Sequence, residues 1–254
     1  MNSKIDVRYI AFSRLDWVIF DADNTLWDLE SLYHDARNKL CRLLAKFGCD
    51  PVDVADYQRQ RDLELFNVHG RSPIRFPQSF VDTLFHFNAA PHSEDIEAAW
   101  NMGMGVFDER AEPYEGVAAA LQSLAVYVRI AILTAGNKTL QRKRLADFPY
   151  RKFAEVCEIV EIKNVGAFHA FLNDHRINPY HSWMVGDSLL SDIIPARVVG
   201  LNTIWVRTDN WSAIENVAIS NIQFSERHFT VKSVSEAISL LLEGLRARRK
   251  ALSS

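Results

Sequence analysis

Two carboxylates one residue apart, Asp21 and Asp23, close the apolar run Trp17-Val18-Ile19-Phe20, and Asn24 and Thr25 follow them. Charge behind a buried run is expensive unless something pairs with it. The pair is either a turn, which Asp and Asn favour, or a place where two acids hold a cation and share nucleophilic and proton-transfer work. Three more groups of this kind lie downstream. Thr134-Ala135-Gly136-Asn137 follows residues 128–133, apolar but for Arg129, and small residues there let backbone N–H groups turn inward around an anion. Lys163 comes shortly after residues 156–160. Gly186-Asp187-Ser188 follows Trp183-Met184-Val185, with Asp192 five residues beyond Asp187. Singly, each has an ordinary explanation: helix caps for Thr134 and for Asp187 with Ser188, a solvated charge for Lys163. Their joint occurrence in order, each at the end of an apolar run, is what points to chemistry.

The runs themselves must position these groups. Residues 15–20, 128–133, 182–186 and 203–206 read as strands, with weaker candidates at 156–160 and 229–232. Helical patterns fall at 116–125, 138–147, 165–175, 188–199 and 233–246. Near-continuous apolar strands suit a parallel sheet covered on both faces, and their alternation with helices predicts an α/β fold with an open, Rossmann-like sheet. Ligands of such sheets sit beyond the carboxyl ends of the strands. The four groups then converge on one sheet edge. Residues 30–110 break the rhythm. Leu32, Ala36, Leu40, Leu43, Leu44 and Phe47 follow helical spacing, and further helices are expected over 53–66, 78–87 and 93–107, with no strand. The expected organisation is a core of residues 1–28 and 112–254 with a helical domain, 29–111, inserted after the first strand. Phe80, Phe85, Phe87, Trp100 and Phe107 are expected in the core of that insert.

These motifs resemble the haloacid dehalogenase-like hydrolase superfamily, the large group of aspartate-nucleophile phosphatases. Its form hhhhD-x-D-x-T is matched by VIFDADNTL, its strand ending in Thr by IAILTAGN, its helix-opening Lys by Lys163, and its G-D-x(3–4)-D by GDSLLSD. Lys143 and Lys152 fall too early for the lysine role. The insert resembles the four-helix cap that this superfamily places after the first strand, with residues 112–117 as the return hinge. The resemblance implies that Asp21 attacks phosphorus and that Asp23 carries the proton. It implies that Mg²⁺ is held by Asp21, Asp187 and the Asp23 carbonyl, and that Thr134, the Ala135 N–H and Lys163 hold the phosphate. Asp192 and Ser188 would support them, Asp192 by orienting Lys163 or a metal-bound water. Halide-removing and phosphonate-cleaving relatives do not carry the second acid, so Asp23 favours a phosphatase. A phosphosugar mutase shares all four motifs and is the alternative. A non-catalytic binding protein of this fold is a further one, against which the full set of acids speaks. His69, Arg71 and Arg75 are candidate substrate contacts in the cap, or else a solvated loop. Trp27 either lines the entrance or packs.

Composition excludes other classes. A chain of 254 residues, 48% hydrophobic and 24% charged, has room for a sizeable core. A net charge of −3 gives no reason to expect nucleic-acid binding. The three cysteines form no C-x-x-C pair, the eight histidines no H-E-x-x-H, and Gly103-Met104-Gly105 lacks the third glycine of a dinucleotide loop. No apolar run approaches the ~18 residues of a membrane span, and residues 1–14 lack the apolar core of an export signal. The expectation is a cytoplasmic monomer or homodimer acting on a small phosphorylated metabolite, with no membrane partner.

Overall fold

The computed structural model describes residues 14–70, 72–207 and 227–252. The chain divides into two compact units, Met1–Asp28 with Glu112–Ser254, and Leu29–Ala111. In chain order come β1 (Trp17–Phe20), β2 (Trp27–Asp28) and the four helices of the second unit, α1 (Glu30–Ala45), α2 (Pro51–His69), α3 (Arg75–Phe87) and α4 (Ser93–Asp108). The first unit resumes with β3 (Glu112–Pro113), α5 (Val117–Leu124), β4 (Arg129–Ala135), α6 (Lys138–Asp147), β5 (Val156–Val160) and α7 (Val165–Asp174). It ends with β6 (Ser182–Gly186), α8 (Ile194–Val198), β7 (Asn202–Val206), β8 (His228–Val231) and α9 (Val234–Leu252).

Six strands form one parallel sheet in the order β5-β4-β1-β6-β7-β8. The chain grows outward from β1 on one side, then crosses back to grow on the other, so β1 stands at the topological switch point where such sheets bind ligands. Both faces of the central strand are covered, and β1 accordingly carries apolar residues at all four positions, each of them buried. Ile19, Leu133 and Met184 pack on one face with Phe168 and Phe171 of α7. Burying each of those phenylalanines stabilises the fold by roughly 1.5–3 kcal/mol. The register sets the site: Phe20 lies opposite Ile132 of β4 and Val185 of β6. Asp21 therefore emerges beside Gly186-Asp187 on one side and the approach to Thr134 on the other.

The second unit has its own core of Leu40, Leu44, Val54, Phe76, Phe80, Leu84, Ala99 and Val106. Phe76, Phe80 and Leu84 recur every four residues and form the buried stripe of α3. Phe85, expected in this core, falls off that stripe and is 47% exposed. Trp100 is half-buried, while Phe87 and Phe107 pack against the core from its margin. Gly103 has a packing role: a Cβ there would stand 2.5 Å from the Pro77 Cα, so glycine lets α4 approach α3.

Two elements depart from expectation. Residues 188–199 are not one helix but a single π-helical turn, Leu189–Ile193, followed by the short α8, in which Pro195 occupies the opening turn where no N–H is needed. An unforeseen two-stranded antiparallel ribbon pairs Trp27 with Pro113 and Asp28 with Glu112. No helix among the described residues is long and apolar enough to cross a membrane.

Candidate active site

The chain turns sharply after β1. The Asp21 N–H still donates to the Val185 carbonyl (2.8 Å), and the Ala22 carbonyl then accepts from the N–H groups of Thr25 and Leu26 at 3.2 and 2.8 Å. Asn24 takes a left-handed backbone (φ 58°), which Asn tolerates better than most residues. This turn leaves Asp21 buried at the sheet edge and brings Thr25, wholly buried, back so that its hydroxyl donates to Asp187 Oδ1 at 3.4 Å.

Asp21, Asp187 and Asp192 are all buried, and one oxygen of each lies within 4.8 Å of the others. Lys163, itself buried, forms ion pairs with Asp21 and Asp192. One ammonium thus faces three carboxylates. Burial pushes the Asp21 carboxyl up to about 7 despite the lowering effect of Lys163, and Asp192 and Asp23 push it the same way. Asp187 is raised well above the usual carboxylate range, by burial first and by Asp21 and Asp192 next. Burial alone would lower Lys163, but Asp192 and Asp21 outweigh it and hold the ammonium charged above its ordinary range. An excess of crowded, hard oxygen donors is what a small divalent cation such as Mg²⁺ neutralises, so the residues present fit that ion.

The loop after β6 is built to bring these acids together. A Cβ on Gly186 would stand 2.4 Å from Asp192 Oδ2, so only glycine lets Asp192 fold back. The Ser188 N–H donates to that same oxygen (3.0 Å), and the Ser188 hydroxyl accepts from the Ser191 N–H (3.1 Å). Trp205 of β7 donates its indole N–H to the Asp187 carbonyl at 2.8 Å, which fixes the backbone beside the acid.

Thr134, the penultimate residue of β4, has its hydroxyl buried and without a hydrogen-bond partner among the described residues. A buried hydroxyl that lacks a partner costs about 1–3 kcal/mol, which a ligand oxygen would recover. Ala135 ends the strand, Gly136 turns the chain at φ 134°, and the Asn137 side chain caps α6 by accepting from Thr139 and Leu140.

Asp23 stands apart from the triad. Its Oδ1 accepts from the Trp27 indole N–H (2.8 Å) and its Oδ2 from the Gln141 amide (2.6 Å). Arg144 Nη1 lies 3.4 and 3.3 Å from the two oxygens. Trp27 is buried against Phe148, ring centroids 5.1 Å apart, so packing is only half of its role. Sequence reasoning placed Thr25 in the first motif without giving it a role, and missed Gln141, Arg144 and Trp205 as site residues.

Within the second unit, His69 ends α2 on the surface. Arg75 is committed internally: Nη1 pairs with Asp62 Oδ2 (2.6 Å) and donates to the Asp62 carbonyl (2.9 Å). Arg71 lies outside the described residues.

Comparison with known proteins extends this picture. Residues 15–200 match the family model described as haloacid dehalogenase-like hydrolase. The chain is 27% identical over 240 residues to the pyrimidine 5'-nucleotidase YjjG of Escherichia coli, covering 89% of this chain and 97% of that one. It is 25% identical over 216 residues to a glyceraldehyde 3-phosphate phosphatase of Pyrococcus furiosus, covering 80% and 85%. The crystal structure of a haloacid dehalogenase-like family hydrolase from Xanthomonas campestris superposes with a TM-score of 0.76 at 19% identity, covering 93% of this chain and 99% of that one.

Proposed function

The chain belongs to the haloacid dehalogenase-like hydrolases, and from that premise we propose that it is a Mg²⁺-dependent phosphatase of small phosphomonoesters, working through a phosphoryl group on Asp21. The observation that carries the reading is the division of the acids: Asp21, Asp187 and Asp192 crowd around Lys163, while Asp23 is held separately by neutral and cationic donors. A halide leaving group needs no proton, so a second acid at the i+2 position argues for an alcohol leaving group. The relatives named as a nucleotidase and a triose phosphate phosphatase support the same class.

The residues then act as follows. A phosphate oxygen satisfies the Thr134 hydroxyl, and Lys163 balances the charge that gathers beside it. A carboxylate oxygen of Asp21 attacks phosphorus, and the bonding electrons to the leaving oxygen depart with it as Asp23 supplies its proton. Asp23 next takes a proton from water, whose oxygen attacks the phosphorus. The bond to Asp21 breaks and its carboxylate is restored. Asp21, Asp187 and the Asp23 carbonyl would hold Mg²⁺, which lowers the repulsion between the carboxylates and the phosphate when bound. Asp192 positions Lys163.

A phosphate-release panel spanning aryl phosphate, nucleoside monophosphates and triose phosphates tests this. Release is expected with Mg²⁺, stopped by EDTA, abolished in Asp21→Asn and reduced about 10²–10⁴-fold in Asp23→Asn. Full activity of the Asp21→Asn protein would remove the nucleophile from the account. Turnover that needs a bisphosphate primer and releases little phosphate would make the protein a mutase instead.

A further inference from the structure

Gln141 and Arg144 belong to no motif, yet both reach Asp23 from one face of α6, three residues apart. Gln141 Nε2 has two hydrogens and uses both: one toward Asp23 Oδ2 at 2.6 Å and one toward the Ala135 carbonyl at 3.0 Å. Both partners are acceptors, so the amide can face only one way. Its Oε1 is left buried without a partner among the described residues, and so is Arg144 Nη2. An unsatisfied buried polar atom costs about 1–3 kcal/mol, whereas an apolar side chain of the same shape avoids the cost. Two side chains on one helix accept that cost at one end while their other ends meet the same carboxylate.

We propose that Gln141 and Arg144 are positioning residues that clamp the Asp23 carboxylate and tie its orientation to the turn Thr134-Ala135-Gly136. The inference rests on the phosphatase reading and deepens it. α6 starts at the Asn137 cap directly after that turn, so one rigid helix carries the phosphate-facing loop at its start and the clamp one turn on. Gln141 is the joint, since it bonds the Ala135 carbonyl and Asp23 through a single nitrogen. Trp27 holds the other Asp23 oxygen from β2, so the carboxylate is gripped from two elements. A carboxylate aimed in this way moves its proton along one line; a free one samples several rotamers, few of them productive.

The test is steady-state kinetics with p-nitrophenyl phosphate and Mg²⁺ on wild type, Gln141→Met, Arg144→Met and Arg144→Lys. Both Met variants lose about 10–100-fold in kcat with KM within about twofold, as a loss confined to proton transfer requires. Arg144→Lys recovers most of the rate, because a single nitrogen serves both Asp23 oxygens and an ammonium can replace it. In an Asp23→Asn background, Arg144→Met costs no further rate, since Arg144 acts through Asp23. Unchanged kcat in both Met variants overturns the clamp, and so does an equal loss in the Asp23→Asn background. If one Met variant fails to fold, the other and Arg144→Lys decide. A wild type that releases phosphate from no ester overturns the phosphatase reading and the clamp with it; an active wild type with indifferent variants overturns the clamp alone.

Discussion

Replacing Lys163 by Met removes the ammonium that the structure pairs with Asp21 and Asp192 while keeping the aliphatic stem. Lys163, Asp21 and Asp192 have side chains only 4%, 6% and 1% exposed, so solvent cannot take over the lost pairing. Breaking a buried pair by removing one partner costs about 3–5 kcal/mol. For a chain of 150–250 residues each kcal/mol lowers Tm by about 2–4 °C, which gives a drop of about 6–20 °C. Three carboxylates without a cation also gain more from a divalent ion than three with one, so Mg²⁺ should raise the variant's Tm more than the wild type's. Adding Asp192→Asn to Lys163→Met should recover part of the loss, because it removes one of the stranded charges. Thermal melts followed by circular dichroism, in EDTA and with excess Mg²⁺, measure all of this. A Lys163→Met melt within about 2 °C of wild type in EDTA, with no compensation in the double variant, would refute the reasoning, since even the low end of the estimate exceeds that shift.

Two further outcomes follow from the same cluster. Asp21 is raised by burial from 3.8 to about 7, so between those values the folded chain holds a proton that the unfolded chain has lost. More protons on the native state mean that stability falls as pH rises. The EDTA-treated protein should therefore lose Tm from about pH 4 to about pH 7, and Asp21→Asn should reduce that slope, leaving the share of Asp187, which burial also raises. Gly186→Ala places a Cβ 2.4 Å from Asp192 Oδ2. Asp192 must shift away from the Ser188 N–H and Lys163, at a cost of about 1–3 kcal/mol, and denaturant melts with kcat/KM should both register the change.

The strand ends were legible because two independent signals coincide there. Apolar runs without alternation announce buried parallel strands, and acids or Thr-Ala-Gly immediately after them announce that something sits at the edge. Asp21, Thr134, Lys163 and Asp187 could be read in that way, since each follows its run by a few residues. The supporting residues could not. In Lys138–Asp147 the run Arg142-Lys143-Arg144 shows three equivalent cations, and only the placement of α6 exposes Arg142 and Lys143 while turning Arg144 to Asp23. Gln141 is likewise a polar residue on a polar helix, and its burial is a tertiary fact. The π turn at Leu189–Ile193 escaped because its cause is the return of Asp192 to the Ser188 N–H and to Lys163 across the sheet edge. Phe85 was misplaced because counting aromatics ignores helical phase, which Phe76, Phe80 and Leu84 define.

The central claim is that phosphorus passes through Asp21. Acid quenching of the enzyme during turnover of a ³²P-labelled ester, with Mg²⁺ present, tests it directly through the peptide that keeps the label. The account predicts acid-stable, hydroxylamine-labile label on the peptide containing Asp21, absent from Asp21→Asn. Turnover that leaves that peptide unlabelled while phosphate is released, or label on another residue, would contradict it.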